Sequence, residues 1–392
     1  MTPLVINNYT LTCAIGSGLD AVRKSITDNR TGLSNEAWFD CELDTWLGRV
    51  QELDSAHPEL PPEWQSRNNR LAHAGVRQDE FSQHVAAAIE RFGAGRIGLA
   101  VGTSTSSIGR SEQGYRHLDE NSRFPPEFRQ REVHNPHAPG AFLQQLLGID
   151  GPASTISTAC SSSAKVFATA ARWLELNICD AVVVGGVDSL CQSVIYGFNS
   201  LQLIANDLCK PFDRHRSGIN LGEAAGFALL SREPLDDSGI RLLGYGESSD
   251  AHHMSSPHPE GLGAELAMQA AIKRSELEFK QLGYVNLHGT GTRVNDSIES
   301  RICLKLLAAD TLVSSTKGWT GHTLGAAGIC EAILTINALC SGVLPGNINT
   351  SDPLAEISSQ LLLETTTRQI RYAMSNSFGF GGNNCSLVFG AT

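Results

Sequence analysis

Three side chains able to do chemistry stand among residues too small to hide them. Cys160 lies in "STACSSSAKVFATAARWL" (157–174), between a short strand-like run, Ala153 to Ser157, and an Ala-rich stretch of helical character. A thiol at a helix start sits beside amide N–H groups without intrahelical partners and beside the positive end of the helix dipole. Both favour thiolate, so the position predicts a lowered pKa and a nucleophile projected from a strand-to-helix turn. Exchange between a thiol and a thioester is nearly isoenergetic, which makes acyl transfer the natural reaction. His288, in "NLHGTGTRVND" (286–296), and His322, in "STKGWTGHTLGAAG" (315–328), each follow an apolar run and are flanked by Gly and Thr. Taken singly, a packing cysteine or a satisfied loop histidine has the same local look. Three such residues at strand exits, where sites assemble in α/β folds, point to one site. In "NSFGFGGNN" (376–384) glycines surround Phe378 and Phe380. Such glycines let backbone N–H groups approach a reacting carbonyl, as an oxyanion hole requires, although a plain turn before the strand "CSLVFG" needs them equally.

Other chemistries lack their residues. His252, His253 and His258 share one loop without Cys or Glu at metal spacing, so no metal is expected. There is no G-x-x-x-x-G-K-[ST], and the glycines of "GFGG" precede a strand rather than open a helix. A net charge of −11 over 392 residues argues against nucleic acid and against a basic membrane surface. No run of about 18 apolar residues is apparent, which predicts no membrane span. The N-terminus has no basic region followed by an apolar stretch, and ten scattered cysteines form no CxxC. Both features predict a cytoplasmic protein in which nine of the cysteines act as small buried hydrophobes.

The elements that must position these residues alternate. Strand-like runs at 96–104, 181–186, 283–292 and 312–319 are interleaved with helical stretches at 162–176, 263–273 and 324–340. That predicts an α/β fold with buried, largely parallel strands. Polar segments at 51–66, 120–140 and 251–261 read as excursions. "ASTISTACSSSAKVFATAARWL" and "TLVSSTKGWTGHTLGAAGICEAILTINAL" share a plan of strand, small residues, reactive side chain and Ala/Gly-rich helix. "GRIGLAVGTSTSS" and "GYVNLHGTGTRVND" form a second such pair. The repeat predicts two similar halves, 1–240 with the cysteine and 241–392 with the two histidines, whose central helices need small residues where backbones meet.

"TACSSSA", "HGTGTRVND", "STKGWTGHTLGAAG" and "NSFGFGGNN", in that order, resemble the β-ketoacyl-acyl carrier protein synthases, the condensing enzymes with a Cys–His–His triad. "DLCKPFDRHRSGINLGEAAGFALL" (207–230) and "SSDAHHMSSP" (248–257) resemble further segments, so the likeness runs from about 95 to 390. It implies the thiolase fold, five layers α-β-α-β-α from two pseudo-symmetric halves. It implies decarboxylative condensation of an acyl chain on Cys160 with malonyl-acyl carrier protein, with His288 and His322 stabilising the enolate. Lys317 and Glu299 match the family's supporting residues. The backbone N–H groups of Cys160 and Phe380 match its oxyanion hole, with Phe380 as acyl gate. Thr290, Thr292, Phe378 and Gly381 fall at substrate-binding positions, and Arg67 and Arg70, in "WQSRNNRLAHAG", at the carrier-docking surface. No cofactor is implied beyond the phosphopantetheine arm of the carrier. The partners implied are that carrier and a second subunit, either a copy of this chain or a chain-length-factor-like relative.

Arg293 stands where the family has Pro, and the opening "INNYTLTCAIGSG" is a loose match. With the triple serine after Cys160, these features resemble the type II polyketide ketosynthases of aryl polyene clusters. A chain-length-factor-like protein would lack the nucleophile, which is present. A thioesterase-like cysteine hydrolase would release free acid. The apolar "CDAVVVGGVDS" is expected at a sheet edge covered by the partner.

Overall fold

The computed structural model describes residues 1–38, 41–55, 60–235 and 238–391. The main path of the large sheet takes five strands from the first half: β1 (Leu4–Cys13), β2 (Ile97–Gly102), β3 (Ala153–Ile156), β4 (Ala181–Asp188) and β5 (Ala224–Ser231). Five follow: β6 (Ile240–Ser249), β7 (Tyr284–Asn286), β8 (Leu312–Ser314), β9 (Tyr372–Gly379) and β10 (Asn383–Ala391). They join in the order β8-β7-β9-β10-β6-β1-β5-β4-β2-β3.

The order reads as one pattern written twice. β2 lies parallel to β3 and β4, β5 runs antiparallel to β4, and β1 closes the group antiparallel to β5. β7 lies parallel to β8 and β9, β10 runs antiparallel to β9, and β6 closes antiparallel to β10. The groups touch through the pairs Leu4↔Leu242 and Val5↔Arg241 of β1 and β6.

Valines and glycines such as "AVVVGGVD" make β4, buried throughout, as a strand covered on both faces must be. Helices α1 (Arg67–Val76), α2 (Phe81–Phe92) and α3 (Ala138–Leu147) cover the outer face of the first group. Helix α4 (Ser162–Glu175) packs on β2 and β4, and α5 (Leu262–Ser275) covers β6 and β10. Helix α6 (Arg293–Leu306) packs against α5. The remaining long helix, α7 (Ala327–Ser341), is paired with α4 and touches strands of both groups, so the two helices form the middle of five layers. Small residues permit this crowding. A Cβ on Gly102 would lie 2.3 Å from Ser163 N, and one on Gly328 would lie 2.4 Å from Ala164 N.

Several expectations need correction. Leu324–Ser341 is apolar and long enough to cross a membrane by length and composition, contrary to the reading of the sequence, but 89% of it is buried inside the protein. "AVVVGG" is an inner strand; the outermost strand of this group is β3, which is partly exposed. The strands expected over 283–292 and 312–319 stop at Asn286 and Ser314. Beyond Asn286, the backbone N–H groups of 288–291 are taken by carboxylates instead of a neighbouring strand. Beyond Ser314 the chain turns into a short helix, Lys317–Thr320. The excursions at 51–66 and 120–140 contain short helical turns, and 56–59 of the first lie outside the described residues. Two cysteines besides Cys160 depart from the expected burial, Cys41 being half-buried and Cys340 exposed.

Candidate active site

The turn that presents Cys160 is held by hydroxyls. Between β3 and α4 the backbone passes through Ala159 at φ 53°, a left-handed conformation that side chains other than glycine rarely adopt. Ser162 Oγ accepts from the Thr158 N–H at 2.9 Å and donates to the Ala159 carbonyl at 2.6 Å. Ser161 Oγ donates to the Thr158 carbonyl at 2.9 Å. Ser163 Oγ reaches across to α7, donating to the Gly325 carbonyl at 2.5 Å and accepting from Ile329 N–H at 2.9 Å. All three serines are fully buried. The triple serine is therefore the clamp of the turn.

Cys160 is buried, and the effect of burial exceeds that of the helix start. Desolvation pushes its thiol up to about 11, while Lys317 and the backbone N–H groups of Phe380 and Cys160 pull the other way. The lowered pKa expected from helix position is thus corrected: the resting residue is a thiol. The backbone N–H groups that favour its thiolate are those of Phe380 and Cys160. This is the donor pair an oxyanion needs.

His322 Nε2 lies 3.1 Å from Cys160 Sγ. Its Nδ1 accepts from the Leu324 N–H at 3.2 Å, which leaves the ring proton on Nε2, directed into the site. His288 Nδ1 lies 3.3 Å from Lys317 Nζ, a donor, so His288 also presents Nε2–H. The two rings meet edge-on, with centroids 5.6 Å apart. Burial first, and then the Lys317 charge, hold both imidazoles well below the ordinary histidine pKa, so they are neutral donors. Sγ and the two ring nitrogens lie within 4.8 Å of one another. A metal there would need bare Nε2 lone pairs, and the bonds at both Nδ1 atoms set the opposite tautomer.

Buried charges fix these loops. Glu299, on α6, accepts from the N–H groups of His288 and Gly289, both at 2.8 Å. One turn earlier Asp296 accepts from Thr290 N–H at 3.0 Å, Gly291 N–H at 3.1 Å and Phe212 N–H at 2.8 Å. Lys317 Nζ donates to the His288 carbonyl and to Glu331 Oε1. Burial raises both Glu299 and Glu331 to about 7, against the opposing pull of hydrogen bonds and Lys317. In the first half Asp188 receives Ser104 N–H at 2.9 Å, Thr105 N–H at 3.1 Å and Gly325 N–H at 2.6 Å, which ties the His322 loop to β4. Ala159, Glu331, Asp296 and Asp188 escaped the sequence reading. Glu331 alone carried a signal, being an acid inside the apolar run "GICEAILTINAL".

Cys160, His288 and His322 open onto a cavity of about 440 Å³ that Thr290, Thr292, Phe378 and Phe380 also line. The Phe380 ring packs on Phe198 with centroids 5.7 Å apart. Gly381 is not part of the wall: its N–H donates to the Met254 carbonyl at 2.7 Å, within a turn at φ 75°. Arg67 lies outside this cavity. Its guanidinium pairs with the fully buried Glu223 at 2.6 Å and with Asp54 at 2.5 Å, which ties it to the protein's own carboxylates. Arg70 is half-buried and bonds Gln65 Oε1 at 3.0 Å.

Residues 62–235 match the N-terminal domain of the beta-ketoacyl synthases and 240–351 the C-terminal domain. The 3-oxoacyl-[acyl-carrier-protein] synthase 2 of Vibrio harveyi is 31% identical, over 98% of both chains. That of Rhizobium meliloti is 34% identical over 88% of this chain and 83% of the relative. Among solved structures, a ketosynthase (ApeO) in complex with its chain length factor (ApeC) from Xenorhabdus doucetiae superposes with a TM-score of 0.90. It has 37% identity and covers all of this chain and 98% of that one. With its thiolase fold and a Cys–His–His site at the strand ends, the chain belongs to the β-ketoacyl synthase family and is a 3-oxoacyl-[acyl-carrier-protein] synthase, a condensing acyltransferase.

Proposed function

We propose that Cys160, in the half 1–240, carries the acyl chain, and that the half 241–392 supplies His288 and His322 for the enolate and the Phe380 N–H for the oxyanion. One observation carries this: Cys160 Sγ lies 3.1 Å from His322 Nε2, while the backbone N–H groups of Phe380 and Cys160 favour its thiolate. In acyl transfer Sγ attacks the thioester carbonyl of an acyl carrier while the N–H groups of Phe380 and Cys160 bind its oxygen. The thiol proton ends on the departing pantetheine sulfur, so the step is neutral overall. The malonyl carrier then enters past Thr290 and Thr292. Nε2–H of His288 and of His322 hold its thioester oxygen, and loss of carbon dioxide leaves an enolate that accepts both bonds. The enolate carbon attacks the acyl-Cys160 carbonyl, the tetrahedral oxyanion returns to the N–H pair, and the Cys160 thiolate leaves and takes up one proton from solvent. Burial strengthens each of these bonds. Lys317 and Glu299 position His288 rather than touching substrate.

The pathway we infer is type II polyketide synthesis of the aryl polyene kind. The 37% identity to the ApeO ketosynthase along the whole chain, against 31% to the Vibrio harveyi synthase, supports it. The partners on this reading are an acyl carrier protein, which Arg70 helps to dock, and a chain-length-factor-like subunit paired along β3.

Intact-mass analysis tests the assignment. An acyl carrier should leave one acyl group on Cys160, and malonyl carrier should then clear it as 3-oxoacyl carrier. Release of free acid without malonyl carrier would reveal a hydrolase instead. Co-expression with a chain-length-factor-like chain should give a heterodimer by light scattering; a soluble monomer would remove the paired edge.

A further inference from the structure

The residue that sets the His322 proton is itself strained. Leu324, whose N–H meets His322 Nδ1 at 3.2 Å, stands at φ 56°, a left-handed conformation that is costly for leucine and free for glycine. A relaxed φ would swing that N–H away from the ring. The conformation is therefore imposed by whatever holds the neighbouring peptide groups.

The peptide that follows, Leu324–Gly325, is held from the other half of the molecule. Gly325 N–H donates to Asp188 Oδ2 at 2.6 Å and is shared with Ser104 Oγ at 3.0 Å. The approach is close: a Cβ on Gly325 would lie 2.5 Å from Ser104 N and 2.7 Å from Asp188 Oδ2. Asp188 ends β4 and is fully buried. Six neutral donors address it: the N–H groups of Ser104, Thr105 and Gly325 and the hydroxyls of Thr103, Ser104 and Thr105. A buried carboxylate is costly without such partners. Five of the six belong to the loop after β2, and the sixth leads to His322.

We infer that Asp188 is a positioning residue for His322: by fixing the Leu324–Gly325 peptide it keeps Leu324 left-handed and the Leu324 N–H on Nδ1, so that the imidazole proton stays on Nε2. This role rests on the reading of His322 as an enolate donor. Asp188 touches no reacting atom. It serves decarboxylation, which needs Nε2–H, and not acylation of Cys160, which uses backbone N–H groups.

Two replacements at Leu324 separate conformation from packing. Valine keeps most of the buried side chain but is β-branched and resists a positive φ, whereas glycine loses the side chain and adopts that φ freely. Leu324→Val should lower kcat for malonyl decarboxylation by roughly 10–100-fold, the usual worth of a partner that orients a histidine, with KM for malonyl carrier little changed. Leu324→Gly should retain more of that kcat than Leu324→Val. Asp188→Asn has one amide oxygen, which cannot serve Gly325 N–H and Thr105 N–H together. It should lower kcat in the same way, and by a smaller factor when Leu324→Gly is also present. In every variant acyl-Cys160 should still form, as read by intact mass. The role falls if Leu324→Val decarboxylates as well as or better than Leu324→Gly, the order packing alone would give. It falls too if acylation drops in step with decarboxylation, or if Asp188→Asn costs nothing or costs the same in both backgrounds. Should Asp188→Asn not fold, the order of the two Leu324 variants decides. His322→Ala tells the two readings apart: decarboxylation at the native rate would sink the enolate role of His322, whereas its loss together with a reversed Leu324 order would sink Asp188 alone.

Discussion

The junctions that deliver Cys160 and His322 occupy equivalent places in the two halves, yet they are secured by opposite means. β3 passes to α4 through five residues, 157–161, knotted by neutral hydroxyls that bond within the turn or one helix away. β8 passes to α7 through twelve, 315–326, secured by charge: Lys317 on Glu331, and Gly325 on Asp188. A nucleophile needs only a fixed point in space, and a tight turn supplies it. An enolate-binding imidazole needs its proton on a stated nitrogen, and that requires a partner for the other nitrogen. The longer junction brings such a partner, the Leu324 N–H.

The largest effect follows from the short junction. Cys160→Ala should take up no acyl group and lower product formation by on the order of 10⁴-fold or more, the scale seen when a nucleophile is removed. Malonyl decarboxylation should persist in part, because the histidines remain. β-Ketoacyl product at the native rate would return Cys160 to a packing role.

Lys317→Met tests the long junction. It leaves the Glu331 carboxylate, whose side chain is 4% exposed, without its cation. Breaking a buried pair from one side costs about 3–5 kcal/mol, measured as a fall in urea midpoint at pH 8. A midpoint shift below about 1 kcal/mol would mean that the charges do not secure this half.

His322→Ala and His288→Ala each remove one enolate donor. Condensation should fall by roughly 10²–10³-fold, as for oxyanion-hole donors, while acyl-Cys160 still forms. Loss of acylation equal to loss of condensation would erase the division of labour between the junctions.

The same contrast explains what was legible in the sequence. The cysteine turn reads from "STACSSSA" because its bonds span three or four residues, from Thr158 to Ser162. Strands buried on both faces and Ala/Gly-rich helices announce themselves by composition, so the layered α/β fold was legible as well. The histidine loops read only as Gly/Thr surroundings. Their supports act across the chain: Asp188 meets Gly325 at a separation of 137 residues, and Lys317 meets Glu331 at 14. The pairing of Arg67 was hidden for that reason. Its sequence neighbours give no sign of Glu223, 156 residues away. The thiol's pKa misled for another: helix position is local, whereas burial depends on the whole fold.

Acidity separates the junctions more finely. Glu299 has a folded pKa of about 7, raised by burial from an ordinary carboxylate value. Its protonated form is the one the fold favours, so its stabilising share is complete below about pH 4.5 and is lost as pH rises through about 7. His288 and His322 act oppositely. Their depressed values contribute stability above about pH 6.5 that is lost as pH falls. The net slope mixes both, so the variant is compared with the native chain. Between pH 5 and pH 8 native stability should fall relative to Glu299→Gln by on the order of 2 kcal/mol, read from urea midpoints. A difference constant over that range would place the Glu299 pKa in the ordinary carboxylate range.

The smallest effect belongs to the hydroxyl turn, and its flatness with pH is the point. Ser162→Ala removes the acceptor of Thr158 N–H and the donor to the Ala159 carbonyl, at 2.9 Å and 2.6 Å. The buried Thr158 N–H loses its partner, which costs about 1–3 kcal/mol, whereas the Ala159 carbonyl keeps the Ser162 backbone N–H at 3.1 Å. No ionisable group takes part in either bond. The loss should therefore be the same at pH 5 and pH 8, unlike that of Glu299→Gln. Acylation of Cys160 should slow as well, because the hydroxyl bonds to Thr158 and Ala159 on either side of the left-handed residue are both lost. A Ser162→Ala penalty that grows with pH would show that the short junction leans on the charged one, and the two halves would then be a single electrostatic unit.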